Sequence, residues 1–368
     1  MDPHRDREHP PDTDTLAGWP PGPLGVRIRD HGEIVAALPH LLGFRPQESV
    51  VLLGLGGPGG CRVGLTVRAD IPPAENAGPL AAVIARSLST DRPDGALVVV
   101  VSEAPDDGPP GDRCLPHRDL VGEMVRALAG HGVPVRDALF LRSDRFWSYD
   151  CPYSCCGPGA GTPVPTEVTE LEVAAVATGT VVERDREGLL ARITPPPGQD
   201  PGAMAAACAR IAVECSTAAL DPGQAAVTAR SWSAVRDAAA RCRPGAAPAG
   251  VLSDEEVARV VWGLRDGDVR DLAIGLALGP EPAAAEQLWS ECTRRAPAPF
   301  DAGPATLLAV SAWLRGDGAM ANIALDRALE SDPGYVLARL LRDALAACVT
   351  PSELRAMLTE VAVPQPVR

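Results

Sequence analysis

Three cysteines that lie close together are the residues of this sequence best suited to chemistry. Cys151, Cys155 and Cys156 fall within six consecutive positions. Three thiolates can ligate a zinc ion whose fourth ligand is a His or a further Cys, and Cys114 and His117 could supply that ligand. The Cys-x3-Cys-Cys spacing matches none of the standard zinc or redox motifs. The three cysteines are therefore candidate metal ligands, with zinc as the candidate cofactor.

Two other interpretations of these cysteines remain open. Cys151 could form a disulfide with Cys155 or Cys156 under oxidation, although the neighbouring Asp150 disfavours the thiolate that such a reaction needs. Alternatively, the cysteines are small residues in a tight structural connection. Because adjacent residues of an extended chain point in opposite directions, we expect at most two of the three sulfurs to converge.

Side chains beside the cysteines could line a site at the same place. Trp147, Tyr149, Asp150 and Tyr153 flank the three thiols in the segment 147–165. Nucleophilic catalysis has no comparable support, because the sequence contains no G-x-S-x-G elbow. We therefore predict no catalytic residue.

One glycine-rich stretch formally satisfies a dinucleotide-binding motif. Residues 54–59 read G-x-G-x-x-G directly after a strand-like apolar run. That motif requires a helix next, whereas residues 62–68 alternate in the manner of a strand. The stretch is therefore predicted to be a hairpin turn that binds no dinucleotide.

The composition is that of an acidic globular protein. The chain has 368 residues, of which 46% are hydrophobic and 22% charged, enough for two cores. Its net charge of −14 opposes binding to nucleic acids or anionic membranes, since both need a basic surface. No segment approaches the roughly 20 apolar residues of a membrane helix, and residues 1–23 lack the apolar core of a signal peptide. We expect a cytoplasmic protein, in which the ten cysteines stay reduced.

A change of hydrophobic period divides the chain into two parts. In the first part, strand-length apolar runs alternate with amphipathic helices, which predicts an α/β layer with a mixed sheet. In the second part the period is helical almost throughout. The predicted fold class is α/β followed by all-α. The expected organisation is a disordered tail (1–23), an α/β domain (24–165), a connecting segment (166–202) and a helical domain (203–368).

Capping residues and a repeat-like stretch characterise the helical part. Ser253 and Glu256 form a capping box, and Thr350 and Glu353 cap the last helix. Residues 302–335 have tetratricopeptide-like spacing, but one such unit is fewer than the three or so that a repeat array needs. The helical domain is thus partly tetratricopeptide-like, and a generic antiparallel helix pair fits equally well.

Three stretches resemble a known family. They are 38–51, 147–165 with its paired cysteines, and 312–335 with its Ala-Trp-Leu-Arg-Gly-Asp-Gly-Ala start. In these motifs the chain resembles the bacterial domain-of-unknown-function family 4192. The resemblance extends over most of the chain after the N-terminal tail. It implies no activity, because the family has no established one, and it carries over no catalytic residue.

The sequence favours a cytoplasmic, non-enzymatic binding or regulatory protein whose helical half contacts a protein partner. The alternative is an enzyme or a thiol or metal sensor with its site at Cys151, Cys155 and Cys156. A polar pocket around the cysteines would favour the alternative, and an apolar groove in the helical part would favour the first interpretation.

Overall fold

A computed structural model covers most of the sequence. It describes residues 31–57, 62–109, 114–157, 159–166, 182–195, 198, 200–218, 224–243, 252–347 and 349–362. The predicted tail at 1–23 lies outside these ranges.

A mixed six-stranded sheet forms the first part of the fold. Its strands are β1 (Ser49–Gly56), β2 (Arg62–Asp70), β3 (Gly95–Val101), β4 (Val135–Arg142), β5 (Arg145–Ser148) and β6 (Thr162–Pro163). They lie in the order β2-β1-β3-β4-β5-β6. Strands β3 and β4 run parallel, and the other neighbouring pairs are antiparallel. The mixed sheet predicted from the sequence is confirmed.

The glycine-rich stretch after β1 joins two antiparallel strands. Leu55 pairs with Val63, and Gly56 pairs with Arg62. Gly57 starts the connection at a φ of +76°, a left-handed conformation that glycine adopts without steric cost. The predicted hairpin is confirmed. Because the described chain resumes at Arg62 already in a strand, no described residue at this turn begins a helix that could face a pyrophosphate.

Alternation along the central strands buries both faces of the sheet. On β1, Val50 and Leu52 belong to one core, whereas Val51 and Leu53 belong to the other. Fully burying such a side chain contributes about 1.5–3 kcal/mol. The three helices of this part are α1 (His31–Leu42), α2 (Ala77–Ser89) and α3 (Arg118–Gly130). Helices α2 and α3 cover the first face, and α1 covers the second.

The second part of the chain is helical. Its helices are α4 (Arg186–Ala191), α5 (Pro201–Ala218), α6 (Gln224–Arg241), α7 (Asp254–Gly263), α8 (Gly267–Ile274), α9 (Pro282–Arg295), α10 (Ala302–Arg315), α11 (Gly318–Ser331), α12 (Val336–Ala346) and α13 (Pro351–Ala362). From residue 200 onward, the described ranges contain no strand. The predicted order, α/β followed by all-α, is confirmed. None of the helices in the described ranges combines the length and apolar composition needed to cross a bilayer.

Two reciprocal caps begin helices of this half, as the sequence predicts. Ser253 Oγ accepts a hydrogen bond from the Glu256 N–H at 3.2 Å, and Glu256 Oε2 accepts one from the Ser253 N–H at 2.7 Å. Thr350 and Glu353 repeat this exchange at 3.2 and 2.8 Å. Each exchange satisfies two backbone donors that a helix start would otherwise leave unpaired.

One continuous core joins the sheet to the helices. Val51, Val99 and Leu139, on the sheet face that carries α1, belong to the same buried cluster as Trp289 of α9 and Leu308 of α10. Because hydrophobic stabilisation grows with the apolar area removed from water, the sheet and the helices stabilise each other.

Candidate metal centre

The segment with the three cysteines is a loop that leaves the sheet at one strand and returns to it at the next. Strand β5 pairs with β4, so that Phe140 lies opposite Trp147. Strand β6 returns along β5 and pairs Thr162 with Phe146. Between these strands, Ser154–Cys156 forms one turn of 3-10 helix. Both ends of the loop are thus held by backbone pairing.

Two aromatic side chains anchor the start of the loop in the core. The Trp147 and Phe140 ring centroids are 5.7 Å apart, and those of Tyr149 and Phe140 are 6.2 Å apart. The buried Tyr149 hydroxyl donates to the Pro116 carbonyl at 2.7 Å. The Arg118 guanidinium lies 5.6 Å from the Tyr149 ring centroid. These contacts fix the direction in which the chain leaves β5.

The end of the loop is fixed by a glycine. Gly161 has a φ of +71°, and a Cβ added there would lie 2.5 Å from Trp147 Cε2. Real Cβ atoms do not approach other atoms this closely, so a side chain at this position would displace the indole. Gly161 therefore lets the returning chain lie against Trp147.

The three thiols gather at one point. Their sulfur atoms all lie within 4.8 Å of one another, and the Sγ atoms of Cys151 and Cys155 are 3.7 Å apart. The prediction that at most two sulfurs converge is wrong. It assumed an extended chain at Cys155 and Cys156, whereas these residues belong to the 3-10 turn. In such a turn consecutive side chains lie about 120° apart rather than on opposite sides.

Backbone N–H groups point at two of the sulfurs. The Ser148 N–H donates to Cys156 Sγ with an N···S distance of 3.3 Å. A hydrogen bond from the Tyr153 N–H lowers the pKa of Cys151, because it stabilises the thiolate. Burial raises the pKa of Cys156 to about 11. A metal ion binds the thiolate and releases the thiol proton. The positive charge of the ion would therefore stabilise the Cys156 thiolate, which burial disfavours.

Asp137, Ser148 and His31 form a polar group beside the cysteines. The sequence does not predict this group. Ser148 Oγ donates to Asp137 Oδ1 at 2.8 Å, and the Asp150 N–H donates to Ser148 Oγ at 3.3 Å. His31 Nε2 lies 3.2 Å from Asp137 Oδ2. The Asp137 carboxylate also acts electrostatically on Cys151. The signal that could have found this group is a carboxylate inside an otherwise strand-like run.

The predicted lining residues lie in two different environments. Trp147 and Tyr149 are buried, with 4% and 5% of their surface exposed. Asp150 is exposed, and Tyr153 keeps 74% of its surface exposed. Trp147 and Tyr149 therefore anchor the loop in the core, whereas Asp150 and Tyr153 lie on its solvent-exposed side.

The predicted fourth ligands lie apart from the thiols. No other Cys, His, Asp or Glu in the described ranges joins the three sulfurs. Cys114 exchanges backbone hydrogen bonds with Asp107, and His117 Nε2 lies 3.2 Å from Ser102 Oγ. The described cluster is therefore a three-sulfur group, open to solvent at the exposed Cys155.

Comparison with protein families gave one match that spans most of the chain. The family described as "Domain of unknown function (DUF4192)" matches residues 32–352. The chain belongs to this family. The resemblance seen in the sequence is confirmed. No curated protein and no solved structure matches the chain.

The three-sulfur group of this DUF4192 protein lies inside the matched region, and its Cys151–Cys155 distance is that of two sulfurs on one metal ion. With a Zn–S bond of about 2.3 Å, tetrahedral geometry places two sulfurs about 3.8 Å apart. The Cys151–Cys155 separation of 3.7 Å agrees with that value. Soft thiolate ligands select zinc or Cu(I). Three sulfurs complete a three-coordinate Cu(I) site and leave one position of a tetrahedral zinc ion open.

Proposed function

We propose that this DUF4192 protein is a non-enzymatic binding protein that holds a thiophilic cation, Zn²⁺ or Cu⁺, on Cys151, Cys155 and Cys156. The observation that carries the proposal is the convergence of all three sulfurs within 4.8 Å. Soft thiolate ligands select zinc or Cu(I), so three converging thiols favour a cation of this kind.

The architecture of the loop supports a sensing role. The 3-10 turn carries Cys155 and Cys156, whereas Cys151 precedes it. An ion bound to all three sulfurs would fix the 3-10 turn in place against the chain that leaves β5. Loss of the ion would free the turn to move. The Asp137 carboxylate, which acts electrostatically on Cys151, is engaged, since it already contacts His31 and Ser148. A binding role therefore fits better than one that needs a free general base.

The thiols also support a cytoplasmic location as part of the proposal. Eight cysteines in the described ranges are free, and two of them, Cys208 and Cys292, are buried. Free thiols persist in a reducing compartment, and exposed ones would be oxidised outside it. A cation held by thiolates needs the same reducing environment.

Titration of the reduced, metal-free chain with Cd²⁺ tests the proposal. Thiolate-to-metal charge transfer in the ultraviolet should saturate at one ion per chain. We expect Cys151→Ser, Cys155→Ser and Cys156→Ser each to weaken binding by at least about tenfold, because even partners of metal ligands contribute that much. Cys114→Ser is the matched control and should bind normally. Lack of saturable binding, or equal binding by all four variants, would contradict the proposal.

A second candidate function concerns the helical half, where an apolar strip faces solvent. Val336 and Leu340 lie one turn apart on α12 and are 65% and 61% exposed. Neighbouring exposed apolar side chains can contribute to a contact with another protein, and this pair is the feature that favours a protein partner for the partly tetratricopeptide-like part. Affinity purification followed by mass spectrometry tests this. A partner should be retained by the wild type and by Val83→Glu on α2, but lost with Val336→Glu/Leu340→Glu.

A further inference from the structure

The three thiols of the metal centre are not equivalent. Cys156 accepts the Ser148 N–H hydrogen bond and packs against the core that contains Trp147. Cys155 is exposed, and its sulfur lies 3.7 Å from that of Cys151. The group therefore consists of one sulfur anchored to the sheet and two outer sulfurs that face each other.

We propose that Cys151 and Cys155 form a reversible disulfide when hydrogen peroxide reaches the loop, and that the disulfide expels the bound cation. The release of the ion rests on the proposed metal-binding function, whereas the formation of the disulfide does not. Oxidation removes two of the three ligands, and a single remaining thiolate cannot hold the ion.

The chemistry balances with peroxide as the two-electron oxidant. The exposed Cys155 sulfur attacks one peroxide oxygen, the O–O bond breaks, and the leaving hydroxide becomes water by taking up the Cys155 thiol proton in the metal-free chain or a solvent proton in the loaded chain, whose thiolates carry none. The Cys155 sulfenic acid is then attacked by the Cys151 sulfur. The S–O bond breaks, the S–S bond forms, and the leaving hydroxide becomes a second water with the Cys151 thiol proton or, in the loaded chain, with a second solvent proton. Zinc keeps its oxidation state throughout.

Of the three possible disulfides, the geometry favours the one between Cys151 and Cys155. An S–S bond is about 2.05 Å long, so the sulfurs of Cys151 and Cys155 need to approach by about 1.7 Å from their 3.7 Å separation. Cys155 and Cys156 are adjacent, and their Cα atoms lie about 3.8 Å apart across a trans peptide. That is below the usual range of about 4.4–6.8 Å for a disulfide. Cys156 Sγ is held toward the sheet by the Ser148 N–H, so a bond from Cys151 to Cys156 would have to move this anchored sulfur.

The position of Cys155 explains why peroxide would meet it first. Cys155 is exposed, whereas Cys151 and Cys156 are partly buried. The neighbouring Tyr153 also leaves the outer side of the turn open, with 74% of its surface exposed. Loop ends held by β5 and β6 limit the rearrangement to the turn itself.

Peroxide treatment of the full chain, with and without one equivalent of zinc, tests the inference. The wild type should lose two of its ten thiols, and differential alkylation with mass spectrometry should locate them at Cys151 and Cys155. The zinc-loaded chain should release about one equivalent of ion to a chromogenic chelator, as the loss of its ligands requires. Reduction with a phosphine should restore both the thiols and zinc uptake.

Three variants separate the two proposals. Cys156→Ser should still form the disulfide while binding zinc at least about tenfold more weakly. Cys151→Ser and Cys155→Ser should form no intramolecular disulfide. If the wild type takes up zinc but peroxide produces a disulfide that includes Cys156, or produces only disulfide-linked dimers, the present inference is wrong. A disulfide at Cys151 and Cys155 in a chain that takes up no zinc would instead overturn the metal-binding function and, with it, the ion release.

Discussion

Gly43 and Asp317 meet where the sheet joins the helices, and a Cβ added at Gly43 would lie 3.2 Å from Asp317 Oδ2. Asp317 is 6% exposed and accepts a hydrogen bond from the Met320 N–H at 2.9 Å, which caps α11. The Gly43 carbonyl accepts the Glu183 N–H at 2.9 Å. The junction therefore depends on the absence of a side chain at one position.

Gly43→Ala should destabilise the fold more than Gly132→Ala does. Both glycines have positive φ, +76° and +74°, so alanine costs about 1–2 kcal/mol at either position. Gly132 has no atom near its Cβ position, whereas Gly43→Ala also requires the buried Asp317 to shift by a few tenths of an ångström, which adds an overpacking cost. Urea unfolding followed by circular dichroism measures the difference. Equal losses would show that the contact with Asp317 is unimportant.

Gly161→Ala should disturb the three-cysteine cluster as well as the fold. The added Cβ would lie 2.5 Å from the Trp147 indole, and such overpacking costs about 1–3 kcal/mol. Gly159→Ala is the matched control, because Gly159 has a φ of +76° in the same loop and nothing within 4 Å of its Cβ position. We expect a lower Tm and weaker Cd²⁺ binding than in the control. If Gly161→Ala binds Cd²⁺ with the same affinity as Gly159→Ala, the end of the loop does not influence the thiols.

Tyr149→Phe should lower the free energy of unfolding by about 1–3 kcal/mol, because it leaves the Pro116 carbonyl without its buried donor. The hydroxyl it removes makes a 2.7 Å hydrogen bond. Tyr153→Phe is the control, since Tyr153 is 74% exposed and surface changes usually stay within about 0.5 kcal/mol. Denaturant unfolding of both variants provides the measurement, and similar values would argue against the buried bond.

Glu353→Gln should reveal a pH-dependent cap at α13. Hydrogen bonds from the Thr350 N–H and hydroxyl lower the pKa of Glu353 below its ordinary value of 4.5. Because the folded pKa lies below the unfolded one, the stabilisation is present above the unfolded value and lost as the pH falls through the folded value. The Tm difference between the wild type and Glu353→Gln should therefore shrink on acidification from neutral pH. A Tm difference that stays constant over this pH range would contradict the role of the ionised carboxylate in the cap.

Regular patterns in the sequence are sufficient to predict the larger elements. Val50 to Leu53 alternate between two cores, and their continuous apolar character predicts a strand buried on both faces. The cap at Ser253 predicts the start of α7, because only short-range hydrogen bonds are involved. Such features depend on neighbours in the sequence, and their prediction needs no knowledge of the fold.

The convergence of the three cysteines depends on contacts that sequence spacing does not encode. Strand β5 is four residues long, and its hairpin turns at Ser143, whose φ is +54°. A serine in this conformation gives no glycine signal. The convergence of the sulfurs likewise depends on the 3-10 turn at Cys155 and on a Ser148 N–H that reaches Cys156. These details emerge only once β5 is paired with β4.

The core shared by the sheet and the helices has a consequence for how the molecule melts. Val99 of the sheet and Trp289 of α9 lie in one buried cluster, so neither half can lose its packing without exposing apolar surface of the other. Heat should therefore unfold the described fold in a single cooperative transition, with equal calorimetric and van't Hoff enthalpies. A fragment that ends at residue 166 would keep α1 on this sheet face but lose the α9 and α10 side chains of the shared cluster. The apolar surface so exposed should make it aggregate rather than behave as an independent folding unit.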